Sequence, residues 1–380
     1  MNQFTTELVD ALVKKQDITE VFRTHLETAV NTLLATELTA FLDYEKYDRI
    51  GFNSGNSRNG SYSRTLHTEY GDLTIQIPRD RNGEFKQQTV IHLFQKGITM
   101  SEIAGLIEKM YGHHYTPQTI SNMTKVMSEQ VEAFNKRRLS ARYVCVYLDA
   151  TYIPVRRKTV SKEAVYIAVG IREDGSKEVL SYTIAPTESA YNWKELLTEL
   201  NERGVEEVLL FISDGLKGMV GAISSIFPKA HYQTCLVHVA RNLSHKVRVE
   251  DRQEVCDDFK TVYKSENQET GQTALEAFCS KWQKAYPKVV KSLEENAYLL
   301  TFYSFPKSIW SSIYSTNLIE SFNKQIKKYT KRKEQFPNEE ALERFLVSQF
   351  EDYNQKFATR CHIGFNQARA KLEAMFESQE

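Results

Sequence analysis

Three acidic residues stand where a chain could hold metal and process phosphodiesters: Asp149 in YVCVYLDATY, Asp214 in VLLFISDG and Glu320 in STNLIESFNKQIKK. The two aspartates follow runs of Val, Leu, Ile, Phe and Tyr that read as strands buried on both faces. If those strands pair in parallel, both carboxylates emerge at the same edge of a sheet, the edge where open α/β sheets collect their ligands. Hard carboxylate oxygens suit Mg²⁺. Phosphodiester transfer needs an activated water or 3′-hydroxyl and a stabilised leaving oxygen, which two ions about 3.5–4 Å apart supply together. Asp149 is expected to bridge the two ions, with Asp214 and Glu320 each holding one. A lone Asp after a strand is often only a helix cap, and Glu320 has a plain alternative as an i,i+4 surface pair with Lys324. The polar crowding of Ser315, Thr316 and Asn317 beside Glu320 favours the functional reading, with Asn317 as support and Lys324, Lys327 and Lys331 on DNA phosphates.

The elements that must position these acids are legible around them. AVYIAVGI and EVLSYTIA follow the first strand, separated by an Asp-Gly turn signal, and complete an antiparallel meander. A helix from about 189 to 203 crosses to the VLLFISD strand, where parallel pairing is favoured. A helix ended by Pro228 then leads to a short fifth strand, HYQTC. In this reading Asp149 ends the first strand and Asp214 the fourth. Residues 240–310 have helical spacing and read as an insertion. A strong helix runs from near Thr316 to about Lys331, with Leu318, Ile319, Phe322, Ile326 and Tyr329 on its buried side.

The N-terminal part has a different character. Residues 1–45 read as one or two amphipathic helices. GFNSGNSRNGSYSR reads as loop from its Gly, Asn and Ser content. LTIQIP alternates like a strand and is stopped by Pro78. Arg58, Arg64, Arg79 and Arg81 gather there, either as a solvated hairpin surface or as phosphate contacts. Residues 99–134 look like a helix-turn-helix: Thr99 and Glu102 form a capping box, and Thr116-Pro117 starts the second helix. Gln118, Ser121, Asn122 and Lys125 would be exposed there to address base edges. Arg156 and Arg157 are further candidates for DNA contact. The expected division is 1–98 as an N-terminal DNA-binding region, 99–140 as the helix-turn-helix, 141–239 with 311–335 as the catalytic core, 240–310 as the insertion and 336–380 as a C-terminal helical segment.

Composition sets the outer bounds. The chain has 380 residues, 41% hydrophobic and 26% charged, as in ordinary globular proteins. Its 49 basic residues equal its 49 acidic ones, so any nucleic-acid binding must come from local patches rather than net charge. No apolar run approaches the roughly 18 residues of a membrane span, and the N-terminus has no signal-peptide pattern. Five cysteines without tight spacing fit reduced thiols and a cytoplasmic setting. Cys235 and His238 form a Cys-x-x-His pair. Zinc would need two more ligands, and His245 and Cys256 are not at standard spacing, so a thiol and a histidine supporting the active site is the stronger reading.

Taken together, the motifs resemble the Mutator-type bacterial insertion-sequence transposases, which are of the Asp-Asp-Glu type. LDATY carries the first acid, ISDG the second and TNLIES the third. RNGSYSRTLHTEYGDLTIQIPRDRNGEF, ESAYNWKELLTELNERG and QTCLVHVARN are also similar to the family pattern, and Lys327, seven positions after Glu320, matches its basic residue. The likeness covers nearly the whole chain and departs at no catalytic group. It implies a ribonuclease-H-like core with a helical insertion, cleavage at terminal inverted repeats and joining to target DNA. It also implies Mg²⁺ or Mn²⁺, two ions per site, and a homodimer or larger assembly on the DNA of the bacterial nucleoid. The rival readings are a catalytically silent DNA-binding regulator derived from a transposase and a ribonuclease-H-like nuclease acting on RNA.

Overall fold

The computed structural model describes residues 11–14, 18–44, 55–68, 71–82 and 127–378, apart from 158, 188, 216 and 217, together with a few isolated residues before 127. The chain divides into two compact units, Met1–Ser128 and Glu129–Glu380.

In the first unit a helix, α1 (Ile18–Leu42), lies with a two-stranded antiparallel ribbon of β1 (Arg58–Thr68) and β2 (Gly71–Asp80). Alternation along β2 buries Leu73, Ile75 and Ile77, and Leu34, Leu38 and Leu42 of α1 are buried. The helix also serves the ribbon's open edge. Glu27 accepts from the Thr74 amide at 2.8 Å, and Asn31 accepts from the Gln76 amide at 2.7 Å while donating to the Thr74 carbonyl at 3.0 Å. Two expectations are corrected here. Residues 58–64, read as loop, are strand, because β2 supplies their pairing partners. Pro78 does not end β2: it sits opposite Ser61 in a two-stranded ribbon, where a missing N–H costs no central ladder bond. Residues 103–126, which carry the expected helix-turn-helix and its Gln118, Ser121, Asn122 and Lys125, lie outside the described residues. The second expected helix is seen only from Met127, as α2 (Met127–Lys136), where Met127 and Phe134 are buried as expected.

The second unit is built on a five-stranded mixed sheet. Its strands are β3 (Arg142–Arg156), β4 (Val160–Ile171), β5 (Lys177–Ala185), β6 (Glu207–Ser213) and β7 (His231–Thr234). Their order is β5-β4-β3-β6-β7. The β3–β4–β5 meander is antiparallel, and β3–β6 and β6–β7 are parallel. Asp149 does not end the first strand: β3 runs seven residues further, paired with β4 as far as Arg156↔Val160. Its parallel pairing with β6 stops at Tyr147↔Ile212, so Asp149 lies where β6 has ended but β4 has not.

One face of the sheet is covered by α3 (Ala190–Glu202) and α4 (Met219–Ile226), which bury Trp193, Leu196, Leu197, Leu200 and Ile223 against Tyr166, Leu180 and Phe211. Each such side chain contributes roughly 1.5–3 kcal/mol of transfer free energy. The chain then leaves the sheet through α5 (Leu236–Lys246), α6 (Arg252–Lys264), α7 (Gln268–Trp282), α8 (Pro287–Glu294) and the short α9 (Trp310–Ile313), as the helical spacing of this stretch predicts. It is also tied back to the sheet edge. Gln233 of β7 donates to the Leu299 carbonyl at 3.0 Å and accepts from the Phe302 amide at 2.8 Å.

The return is α10 (Asn317–Lys333), followed by α11 (Glu339–Phe357) and α12 (Phe365–Glu377). Ile319, Phe322 and Ile326 of α10 are buried, and α11 packs Phe350 against Tyr182 and Phe322. Phe336 forms a parallel bridge to Val155 at the far end of β3. The first of the C-terminal helices, α11, is therefore part of the packing that fixes α10.

Candidate active site

The site lies where β3 and β6 part company. Two residues beyond the Tyr147↔Ile212 pair, each strand reaches an aspartate, so the register itself sets Asp149 beside Asp214. Asp149 accepts at Oδ2 from Asn323 Nδ2 at 2.8 Å and at Oδ1 from the Ala150 amide at 2.9 Å. Burial, reinforced by the charge of Asp214 and partly offset by the Asn323 hydrogen bond, pushes its carboxyl up to about 6. The like charge of Asp214 beside it disfavours the ionised form of Asp149.

Glu320 stands in the first turn of α10. Arg241 of α5 grips it as a fork, Nη1 to Oε1 at 2.9 Å and Nη2 to Oε2 at 3.1 Å, and His238 Nε2 lies 3.3 Å from Oε1. Burial pushes the Glu320 carboxyl up, but Arg241, with His238 and Lys324 behind it, outweighs burial and holds it below the usual carboxylate range. The Glu320 side chain keeps 12% of its exposure, against 47% for Arg241. Glu320 is thus neither remote nor paired only to Lys324.

Cys235 and His238 join the two halves. The Cys235 amide donates to the Ser213 carbonyl at 2.8 Å, fastening the start of α5 to the end of β6. The buried Cys235 thiol accepts from the Thr316 amide and hydroxyl, both at 3.2 Å, and the Thr316 hydroxyl lies 3.3 Å from His238 Nδ1. Burial pushes the thiol up, but hydrogen bonds from His238 and Thr316 outweigh it and lower it overall. His238 is raised by its bond to Cys235 and by the charges of Glu320 and Asp214, and it in turn lowers Asp149. This one imidazole is therefore coupled to all three acids.

The remaining expected residues fall into distinct places. Asn317 is exposed at the start of α10, and Thr316 before it makes the contacts. Lys324, Lys327 and Lys331 are exposed. Arg156 is exposed, while Arg157 is engaged with Glu163 at 3.3 Å and Glu339 at 2.6 Å. In the N-terminal unit Arg79 and Arg81 are exposed, and Arg58 is spent on Thr39 and the Tyr44 carbonyl at 2.9 and 2.7 Å. Arg64 lies on β1 opposite Ile75. Sequence reasoning passed over Arg241 and Asn323. Arg241 sits three positions after His238 on α5 and Asn323 three after Glu320 on α10, so i,i+3 spacing from each named residue was the available signal.

Asp149, Asp214 and Glu320 are the hard oxygen donors that Mg²⁺ prefers, and the raised Asp149 carboxyl marks a place where positive charge is wanted. Among the described residues, however, no three His, Cys, Asp or Glu side chains converge closely enough to hold a metal ion. Two donors fit as they stand, and the third is held by Arg241. The same holds for zinc: neither His245 nor Cys256 makes a third ligand with Cys235 and His238.

The profile of the transposases of the Mutator family matches residues 2–360. The chain belongs to that family. It is 52% identical to the transposase for insertion sequence element IS905 of Lactococcus lactis subsp. lactis, over 99% of this chain and all of that protein. The transposase for IS1201 of Lactobacillus helveticus is 49% identical over 93% of this chain and all of its own length. The transposase for IS256 in transposon Tn4001 of Staphylococcus aureus is 25% identical over 95% of this chain and 97% of its own. Among solved structures, the Drosophila P element transposase strand transfer complex is similar with a TM-score of 0.30 at 9% identity, over 78% of this chain and 88% of that one, a likeness too slight to carry an argument. Among the described residues no helix is long and apolar enough to cross a membrane.

Proposed function

We propose that this transposase cleaves DNA at the terminal inverted repeats of its own element and joins the freed 3′ ends to target DNA, using a ribonuclease-H-like core and two Mg²⁺ or Mn²⁺ ions. The carrying observation is the register of β3 and β6, which brings Asp149 and Asp214 together, with Glu320 joined to the pair through His238. Asp149 would be shared between the ions, Asp214 and Glu320 each serving one. Such ions lower the pKa of an attacking water or hydroxyl and stabilise the leaving oxygen. The chain's own part is to hold the geometry. Asn323 and the Ala150 amide fix the Asp149 carboxylate, and the Cys235–Thr316–His238 network fastens α5 to α10 so that Glu320 faces the strand ends. Lys324, Lys327 and Lys331 provide exposed charge along α10 for phosphates. The protein acts as a homodimer or larger assembly, because two ends must be joined, and works in the bacterial cytoplasm on nucleoid DNA.

The test is strand cleavage of a labelled element end in Mg²⁺. Asp149→Asn, Asp214→Asn and Glu320→Gln should each abolish cleavage and leave end binding intact, since these groups hold metal rather than bases. Near-normal cleavage by any of them removes that residue from the site. Binding without cleavage by the unaltered protein would favour the silent regulator.

A further inference from the structure

The Arg241–Glu320 fork conflicts with a metal-binding role for Glu320 unless it opens. A guanidinium that neutralises a carboxylate also repels a dication approaching the same oxygens. Both Glu320 oxygens are engaged, and Arg241 Nη1 lies a further 3.2 Å from His238 Nε2. The two partners are not equally free to leave. Glu320 is anchored on a helix turn whose neighbours Ile319 and Phe322 are buried, whereas the Arg241 side chain is about half exposed. A DNA phosphate offers a guanidinium the same pair of anionic oxygens that a carboxylate does, and arginine's planar fork suits both. Exposed Lys324 lies one turn from Glu320 on α10, so cationic groups on two helices face solvent near the acid.

We propose that Arg241 is a DNA-phosphate ligand of the active site, stored on Glu320 in the free protein, and that DNA arrival draws it away and releases the third carboxylate. This rests on the metal-dependent reading above and deepens it: the site is completed by its substrate, so the free protein is guarded against cutting without a bound end.

The experiment measures Mn²⁺ binding to the full chain by electron paramagnetic resonance, with and without a duplex of the element's own end, for the unaltered protein, Arg241→Met, Arg241→Lys and Glu320→Gln. The unaltered protein should bind Mn²⁺ at least about tenfold more tightly with DNA than without, a factor of the size expected for one charge-assisted pair. Arg241→Met should bind Mn²⁺ without DNA almost as tightly as the unaltered protein does with it, while its half-saturating DNA concentration rises about tenfold. Arg241→Lys keeps the charge without the fork, should fall between, and serves if the Met variant folds poorly. A purely structural ion pair would leave Mn²⁺ affinity unchanged or weaker in both variants, and that result overturns the inference alone. If the unaltered protein with DNA binds Mn²⁺ no better than Glu320→Gln, the metal reading of the site fails and this inference falls with it.

Discussion

Asn323 Nδ2 donates to Asp149 Oδ2 across 2.8 Å, joining the turn of α10 after Glu320 to the central strand β3. The amide is buried, and its Oδ1 is a buried atom that accepts no hydrogen bond. A buried, half-satisfied amide costs stability. Its satisfied end fixes the rotamer of the carboxylate proposed to be shared by both ions. Replacing the orienting partner of a metal ligand typically costs about 10–100-fold in affinity or activity. Asn323→Leu is therefore expected to raise the Mg²⁺ concentration for half-maximal cleavage by about that factor. Its melting temperature should stay close to that of the unaltered protein, because an unsatisfied group is removed along with the bond. Unchanged Mg²⁺ dependence would reduce Asn323 to a packing residue.

Asp149 carries a stability cost with a definite sign. Its carboxyl is raised to about 6 in the folded, metal-free protein, against about 3.9 in an unfolded chain. A raised folded pKa means that the folded state favours the protonated form. The associated stability is fully present below about 3.9 and is lost as pH rises through about 6. By pH 7.5 the loss is on the order of 2–3 kcal/mol. Asp149→Asn cannot ionise and escapes it, although one of the two donors around it loses an oxygen at every pH. The prediction is thus the slope: the stability of Asp149→Asn relative to the unaltered protein, measured by urea unfolding in chelator, should improve between pH 4.5 and pH 7.5. A pH-independent difference would show that the burial and like-charge account of this group is wrong.

What the sequence revealed, and what it hid, follows from how local each interaction is. Strands such as β6 were legible because a strand buried on both faces needs a continuous apolar run, as in Val208–Ile212. Asp149 and Asp214 were singled out by the apolar runs before them and Glu320 by the polar crowding at a helix start, although Asp149 lies within β3 rather than at its end. The extension of β3 past Asp149 was not, since TYIPVR is neither apolar throughout nor free of proline, and its strand state depends on pairing with β4 and on the bridge to Phe336. The strand at 58–64 was hidden in the same way: its residues are polar and rich in turn formers, and only the alternating β2 opposite makes them strand. Arg241 and Asn323 were missed because their partners lie 79 and 174 positions away. The i,i+3 spacing from His238 and Glu320 sets each residue on the same helix face as a named one, but it does not report which partner on another element it meets.

Gly364 should tolerate no side chain. It has φ +84°, and a Cβ there would come 1.9 Å from the Ser308 carbonyl oxygen, a backbone atom that cannot swing aside. The left-handed conformation costs an L-residue about 1–2 kcal/mol, and forced overpacking adds about 1–3 kcal/mol. Gly364→Ala should therefore lower stability by about 2–5 kcal/mol in urea unfolding. The loss should be accompanied by protease sensitivity in α12, which starts at the next residue. Gly221 makes the control: a Cβ there meets nothing within 4 Å, and Gly221→Ala lies within α4, where alanine is the better helix former. Equal destabilisation by both variants would refute the steric argument.

The basic residues proposed to meet DNA separate into free and engaged sets, and salt dependence can tell them apart. Lys327 and Lys331 are exposed along α10, one turn apart. Each phosphate neutralised by a lysine releases counterions, so the slope of log affinity against log salt changes by about 0.9 per contact on duplex DNA. Lys327→Ala and Lys331→Ala should each weaken binding to end and scrambled duplexes alike, and flatten the slope by about that amount. Arg157 provides the contrast. It is held by Glu163 and Glu339 at 3.3 and 2.6 Å, so meeting a phosphate would require giving up two carboxylates. Arg157→Ala should accordingly leave the slope nearly unchanged while costing some stability, because Glu163 is buried and would lose its cationic partner. The measurement is a fluorescence-anisotropy titration at several salt concentrations. A slope unchanged by Lys327→Ala but flattened by Arg157→Ala would place the DNA path along the β3–β4 hairpin instead of α10.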